Sequence, residues 1–287
     1  MNFRHLARKD FRLEMLLGLG RFSQVYLAKA PDDTPVAMKI PRKEVRSDPK
    51  LADRFAQEVG LSLALSHKYL VRGLAGKPFG EEAFLALEYM AEGSLEDRLG
   101  HGALPRDEVE VCLQQIATAL IFLHDQGVIH QDVKPSNIYR NQGVYKLGDL
   151  GVARTRENYR LGERAGSPFY MAPELFAGGD PTPASDNYSF GVLAYELLTG
   201  RRPFRGETYE QLEYAHLHLP AAPTNLPQPL DRALRGLLDK DPERRKTLKD
   251  FLAVLAHPKA PPRPKEKEPE PPAKGKGLFG LFRKKGG

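Results

Sequence analysis

The sequence predicts an α+β protein of two unequal lobes, a small β-rich N-terminal lobe with one helix and a larger helical C-terminal lobe. Strand-like apolar runs bounded by turn residues fill about residues 11–90, whereas helical apolar periodicity dominates about 91–256. That order, strands first and helices after, suits two lobes with a cleft between them. A chain of 287 residues is long enough to bury a core in each.

Residues 1–10, MNFRHLARKD, form a polar extension without the apolar core of a secretory signal. Over 11–40, Val25, Leu27 and Val36-Ala37-Met38-Lys39-Ile40 flank the turn-forming Pro31-Asp32-Asp33-Thr34-Pro35. Leu51, Phe55, Val59, Leu63 and Leu65 fall at helical spacing over 50–66, and apolar segments near 70–75 and 83–90 read as strands. In the second lobe Val109, Leu113, Ile116, Leu120 and Leu123 share one stripe over 106–126. Further helices are expected over 185–199, 207–217, 229–238 and 247–256, with no internal repeat. The main domain is therefore expected to cover 11–256, divided near residues 90 and 91.

Past Ala256 the character changes. Pro, Lys and Glu dominate 257–275, too poor in apolar residues to offset the entropy of ordering, and a flexible tail is expected over 257–287. Its tip, Gly277-Leu278-Phe279-Gly280-Leu281-Phe282-Arg283-Lys284-Lys285, is an apolar patch ending in basic residues, suited to a docking partner or an anionic membrane surface. The prolines of Pro261-Pro262-Arg263-Pro264 and Pro269-Glu270-Pro271-Pro272 read as a stiff spacer or as ligands for a Pro-binding module.

Charge narrows the partners. The net charge is +6, and residues 257–287 hold nine Lys or Arg against three Glu, which is the whole surplus. The main domain is formally neutral, so no nucleic-acid-binding face is expected on it. No apolar run approaches the roughly 20 residues of a membrane helix, so no transmembrane segment is expected. The single cysteine, Cys112, excludes an intrachain disulfide and suits a reducing compartment, as a small apolar residue on a buried helix. A soluble cytoplasmic protein is the expectation, with peripheral membrane association through the tail.

The chemistry concentrates in His130-Gln131-Asp132-Val133-Lys134-Pro135-Ser136-Asn137, followed by Asp149-Leu150-Gly151. The first stretch offers a carboxylate to orient a nucleophile and a lysine for a phosphate. Asn137 and Asp149 add an amide and a second carboxylate, oxygen donors suited to a hard metal ion. Those are the parts of a phosphoryl-transfer site. Upstream lie a glycine-rich turn, Gly18-Leu19-Gly20-Arg21-Phe22-Ser23-Gln24-Val25, and a strand lysine in Val36-Ala37-Met38-Lys39. Downstream lies Ala165-Gly166-Ser167-Pro168-Phe169-Tyr170-Met171-Ala172-Pro173-Glu174. Taken together and in this order, the motifs resemble the catalytic core of the protein kinase family, in its eukaryotic-like (Hanks-type) Ser/Thr branch. The resemblance covers about residues 10–256.

The resemblance implies a bilobal protein-kinase-like fold and transfer of the γ-phosphate of ATP, with Mg²⁺, to Ser or Thr hydroxyls of protein substrates, autophosphorylation included. It assigns nucleotide contacts to Gly18, Gly20, Ser23, Val25, Ala37 and Lys39, with the hinge backbone of Glu88 and Met90 meeting the adenine and Leu87 as gatekeeper. Lys39 would pair with Glu58 on the 50–66 helix, Asp132 would orient the substrate hydroxyl, Lys134 would meet the γ-phosphate, and Asn137 and Asp149 would hold Mg²⁺. His130 is expected to be a packed, hydrogen-bonded histidine. Glu174 and Arg245 are expected to form a structural ion pair, and Asp186 to prop the catalytic loop backbone.

Four departures from the family pattern stand out. Ser23 replaces a glycine, Leu150 replaces a phenylalanine, and Ser62 stands where an apolar residue is usual and would loosen its helix. Gln131 replaces the arginine that pairs with an activation-loop phosphate, so loop phosphorylation is not expected to be the main on-switch. Thr155, Tyr159 and Ser167 are the loop hydroxyls, among Arg154, Arg156, Arg160 and Arg164, and Thr155 is the candidate autophosphorylation site. The alternatives are a pseudokinase scaffold that binds nucleotide without efficient transfer, and a small-molecule kinase of related fold. The first predicts loss of Lys39, Asp132, Asn137 or Asp149, and the second gives no reason for the 166–174 segment.

Overall fold

In a computed structural model of the chain, residues 3–155 and 166–256 are described. The N-terminal lobe is an antiparallel sheet built from β1 (Arg12–Leu19), β2 (Ser23–Lys29), β3 (Pro35–Pro41), β4 (Gly73–Lys77) and β5 (Phe84–Glu88), in the order β1-β2-β3-β5-β4. Strand alternation decides what each residue of β3 does. Val36, Met38 and Ile40 are buried in the core on one face, which turns Ala37 and Lys39 toward the cleft on the other.

Two helices lie between β3 and β4, the short α1 (Lys43–Ser47) and the longer α2 (Pro49–Ala64). One helix was expected in this lobe, and α1 is an addition, since a single turn is too short to carry a periodic signal. Asp48 caps α2, its side chain accepting from Lys50 N (2.8 Å) and Leu51 N (3.0 Å), and Pro49 fits the first turn because its missing N–H is not needed there. Glycines let α2 sit close on β4. A Cβ at Gly73 would lie 2.3 Å from Ser62 O, and one at Gly76 would lie 2.8 Å from Val59 Cγ1. Ser62 is buried and α2 continues past it to Ala64, so the expected loosening at this residue does not occur.

Residues 3–10, expected as an extension, form two short 3₁₀ turns against the small lobe. Phe3 and Leu6 pack on its core, and Arg4 donates to Leu63 O at 2.7 Å. Phe11, just beyond, meets Phe84 with ring centroids 5.7 Å apart.

The C-terminal lobe contains α3 (Leu95–Leu99), α4 (Arg106–Asp125), β6 (Val128–Ile129), β7 (Ile138–Asn141), β8 (Val144–Leu147), β9 (Arg154–Thr155), α5 (Pro173–Phe176), α6 (Pro183–Thr199), α7 (Tyr209–His218), α8 (Gln228–Leu237) and α9 (Leu248–Leu255). The expected stripe of α4, Val109, Leu113, Ile116, Leu120 and Leu123, is buried in one core with residues of α6, α8 and α9. Gly200, at φ 72, ends α6 in the left-handed conformation that suits glycine. The short pairs β6–β9 and β7–β8 were not expected, being too brief for alternation to show. They bracket the catalytic loop, which fixes its two ends.

The hinge is not the sole link between lobes. Leu147 of β8 donates to Tyr69 O at 2.9 Å and accepts from Val71 N at 2.8 Å. The Glu88 side chain, at the end of β5, accepts from Arg72 N (2.7 Å) and from Lys146 Nζ of β8 (2.7 Å). No helix among the described residues is long and apolar enough to cross a membrane.

Candidate active site

A cavity of about 860 Å³ opens between the lobes, a volume in the usual range for small-molecule sites. Gly18, Gly20, Ser23, Val25, Ala37, Lys39, Glu88 and Met90, the residues expected to meet a nucleotide, all line it. The β1–β2 turn is closed by Gly20 N donating to Ser23 O at 2.9 Å. A Cβ at Gly18 would meet nothing within 4 Å, so the bare backbone there leaves room for a ligand to approach. At the hinge, the Met90 carbonyl accepts from Gly93 N at 3.1 Å, which folds the chain back just past the cleft-lining Met90.

The first polar cluster joins three elements. Lys39 Nζ on β3 donates to Glu58 Oε1 on α2 at 2.5 Å and to Asp149 Oδ1 at 2.9 Å. One buried cation thus serves two carboxylates. Burial opposes the charge on Lys39, but Asp149 and Glu58 more than offset it and hold its pKa above the ordinary lysine value. The ammonium of Lys39 draws Asp149 down to about 2. Glu58 goes the other way, to about 7, because burial and the neighbouring Asp149 charge outweigh its bond to Lys39. Asp149 itself is held at φ 58, a left-handed conformation that costs a non-glycine residue energy.

The second cluster lies within the catalytic loop. Asp132 Oδ2 accepts from Lys134 Nζ at 2.8 Å and from Asn137 Nδ2 at 2.9 Å, while its Oδ1 accepts from Ser167 N at 3.0 Å. The last bond ties the backbone of Ser167 to the loop through its N–H. Asp186 on α6, with no solvent exposure, accepts from His130 N and Gln131 N at 2.8 Å each, and bonds His124 Nε2 at 2.9 Å. His130 is buried as expected. Its Nδ1 accepts from Asp132 N (3.2 Å), so Nε2 carries the proton donated to Gly148 O (2.9 Å).

Gln131, at φ 68, donates through Nε2 to Val152 O at 2.6 Å. Gly166 packs so closely on the same residue that a Cβ there would lie 2.5 Å from Gln131 O. Residue 131 therefore touches both described ends of the activation segment. Gln57 of α2 adds a bond to Ala153 O at 3.0 Å. Leu150 is buried in the large-lobe core, an apolar anchor. The ion pair of Arg245 with Glu174 is bidentate, at 2.6 and 2.8 Å, and the arginine side chain is wholly buried. Burial raises the Cys112 thiol above its ordinary value, as suits an unreactive core residue. Thr155 lies on β9. Tyr159, Arg156, Arg160, Arg164, the Pro-rich spacer and the tip at 277–285 lie outside the described residues.

The donor set fits a hard cation. Asn137 spends its Nδ2 on Asp132, which leaves Oδ1 as the amide atom for a metal, and Asp149 keeps one oxygen beyond its bond to Lys39. Among the described residues no group of three or more His, Cys, Asp or Glu could hold a metal. Two protein oxygens make an incomplete shell, as expected of Mg²⁺ shared with phosphates and water. Sequence reasoning missed Leu17, Val71 and Tyr139 as cavity-lining residues. Leu17 precedes Gly18 and Tyr139 follows Asn137 by two positions, so their motifs could have pointed to them. Val71 carried no local signal.

Residues 11–258 match the protein kinase domain family. The chain is 33% identical over 255 residues to a serine/threonine-protein kinase (drp72) of Corynebacterium efficiens, covering 84% of this chain and 49% of that protein. It is 35% identical over 234 residues to the serine/threonine-protein kinase pkn2 of Myxococcus xanthus, covering 78% of this chain and 28% of that protein. Against the serine/threonine-protein kinase PknA of Corynebacterium glutamicum it is 32% identical over 255 residues, covering 84% and 54%. The chain spans about half the length, or less, of these relatives. With the two-lobed fold, the joined Lys39, Glu58 and Asp149 and the ordered catalytic loop already described, the chain belongs to the protein kinase domain family.

Proposed function

We propose that the protein is a serine/threonine protein kinase that transfers the γ-phosphate of ATP, with Mg²⁺, to hydroxyls of protein substrates and of its own Thr155. The observation that carries this is the simultaneous pairing of Lys39 with Glu58 and Asp149, beside an Asp132 already braced by Lys134 and Asn137. Mg²⁺, when held by Asn137 and Asp149, supplies charge neutralisation to the phosphates. Lys39 holds the α- and β-phosphates, and Glu58 holds Lys39 in place. Lys134 is set to meet the γ-phosphate. Asp132, fixed on three sides, orients the substrate hydroxyl and takes its proton. The backbone of Gly18 and Gly20 covers the phosphates, while Val25, Ala37, Glu88 and Met90 receive the base.

A scaffold that binds nucleotide without transfer predicts loss of Lys39, Asp132, Asn137 or Asp149, and this chain carries all four. We read the Gln131–Val152 bond as a neutral substitute for the arginine–phosphate pair, so that catalysis does not require a phosphorylated loop. We also place the protein in the cytoplasm, in keeping with the lone buried Cys112. The tip at 277–285 we assign to docking on a partner or an anionic membrane surface.

The test is transfer from labelled ATP with Mg²⁺ to a basic protein substrate, beside Asp149→Asn. Label on Ser or Thr that disappears in the variant is the expected result. A thermal shift with ATP and Mg²⁺ but no label would instead favour the scaffold. A loop Ser/Thr→Ala variant that loses activity would refute the phosphate-independent reading of Gln131.

A further inference from the structure

The last turn of a helix leaves its final carbonyls without intrahelical partners and carries the negative end of the helix dipole. α2 ends at Ala64, and its own last turn holds no basic residue to answer that charge. Leu61 O is satisfied by Leu65 N at 2.9 Å. Leu63 O accepts instead from Arg4 Nη2 at 2.7 Å, a cation supplied from 59 positions away.

Arg4 belongs to a strap laid across the small lobe. Phe3 and Leu6 pack on the core that includes Leu74 and Ala75 of β4, and Leu6 N closes the turn on Phe3 O at 3.0 Å. Further along, Arg8 Nη1 donates to Glu81 O at 3.2 Å, in the link between β4 and β5. The two arginines thus grip the chain before β4 and after it, with Leu6 seated on the core between them. Ser62 O already presses on β4, since a Cβ at Gly73 would lie 2.3 Å from it. The end of α2 is therefore held from two sides, by the close approach to Gly73 and by Arg4. Glu58 stands one turn before Ser62 on the same helix, with Gly60, a weak helix former, between them. Where the end of α2 sits decides where Glu58 meets Lys39.

We propose that Arg4 is a positioning residue, which by holding the last turn of α2 fixes Glu58 against Lys39 and so supports use of the nucleotide. This rests on the kinase reading given above. It gives the N-terminal segment a part in the reaction, exerted through α2 and without contact with any reacting group.

The experiment compares the full chain as wild type, Arg4→Ala, Arg4→Lys and Phe3→Ser. It uses amide hydrogen exchange without ligand and transfer kinetics with ATP, Mg²⁺ and a basic protein substrate. Arg4 is exposed, so Arg4→Ala leaves no cavity and should fold. Exchange over residues 61–64 should quicken about 5-fold in Arg4→Ala, the worth of one hydrogen bond, and stay unchanged over α4. KM for ATP should rise by about the same factor while KM for the protein substrate holds, because Lys39 serves the nucleotide alone. Arg4→Lys, still a cationic donor, should recover most of both, and Phe3→Ser, which lifts the strap, should reproduce the loss. Unaltered exchange in α2 of Arg4→Ala would overturn the proposal. So would faster exchange with KM for ATP unchanged, or a fall in kcat alone, since either would make Arg4 merely structural. A wild type that transfers nothing would overturn the kinase reading instead, and the exchange comparison would still decide whether Arg4 holds α2.

Discussion

Two polar clusters make up the site, and they are built in opposite ways. Asp132, Lys134 and Asn137 come from one short loop whose backbone is pinned by Asp186 beneath it. Lys39, Glu58 and Asp149 come from β3, from α2 and from the segment after β8, with 110 positions between Lys39 and Asp149. The loop cluster persists wherever the lobes sit. The other exists only while α2 presses on β4 and the small lobe stands over Asp149. Under the proposed function, movement of α2 would therefore break the assembled cluster, by taking Glu58 from Lys39, and leave the loop cluster whole.

The largest expected effect comes from breaking the pinned cluster. Asp186→Ala would leave two buried backbone N–H groups without an acceptor, each costing about 1–3 kcal/mol. Urea unfolding should show a loss of about 2–6 kcal/mol. A loss well below 1 kcal/mol would mean that something other than Asp186 holds the loop.

Gly73→Ala attacks the assembled cluster from a distance. The new Cβ would press on Ser62 O, a backbone atom that cannot turn aside, so α2 has to move and carry Glu58 with it. Transfer should fall by about tenfold or more, since small displacements of positioning groups are costly. Stability should drop by only about 1–3 kcal/mol. Unchanged transfer would show that the position of α2 does not limit activity.

The pH response separates the clusters further. The Glu58 carboxyl titrates at about 7 in the fold against an ordinary 4.5, so the folded state binds more protons between those values. Its contribution to stability is complete below about 4.5 and is lost as pH rises through 7. Transfer, which needs the ionised pair, should rise over that interval, while Asp149, at about 2, stays ionised throughout. Glu58→Gln should remove this slope from a plot of stability against pH. A slope that survives the change belongs to another group.

The smallest effect should be a gain. Gly60 lies exposed on α2 with nothing within 4 Å of a would-be Cβ. Gly60→Ala should add about 0.5–1 kcal/mol of stability through helix propensity alone. Melting curves would check it, and unaltered or raised transfer should accompany it.

The catalytic loop was legible in the sequence because its residues are neighbours, and neighbours in the chain stay neighbours in space. The long helices were legible too, since stripes such as that of α4 repeat over several turns. The turns at α1, α3 and α5 and the short strands β6 to β9 were not, because two to five residues are too few for a period to register. Ser62 was misjudged for a related reason. Its partner is Gly73, and no local pattern announces that a serine in a helix will lie against a glycine in a strand.

The sequence by itself determined the family, the two lobes and the candidate groups for the proposed chemistry, since each rests on residue type and spacing. Only the tertiary structure decided that Lys39 is shared between Glu58 and Asp149, that Gln131 takes the Val152 carbonyl, and that Asp186 accepts from the backbone of His130 and Gln131. Spacing along a chain states which groups are available. Hydrogen bonds and burial depend on distances between groups remote in sequence, and folding alone sets those.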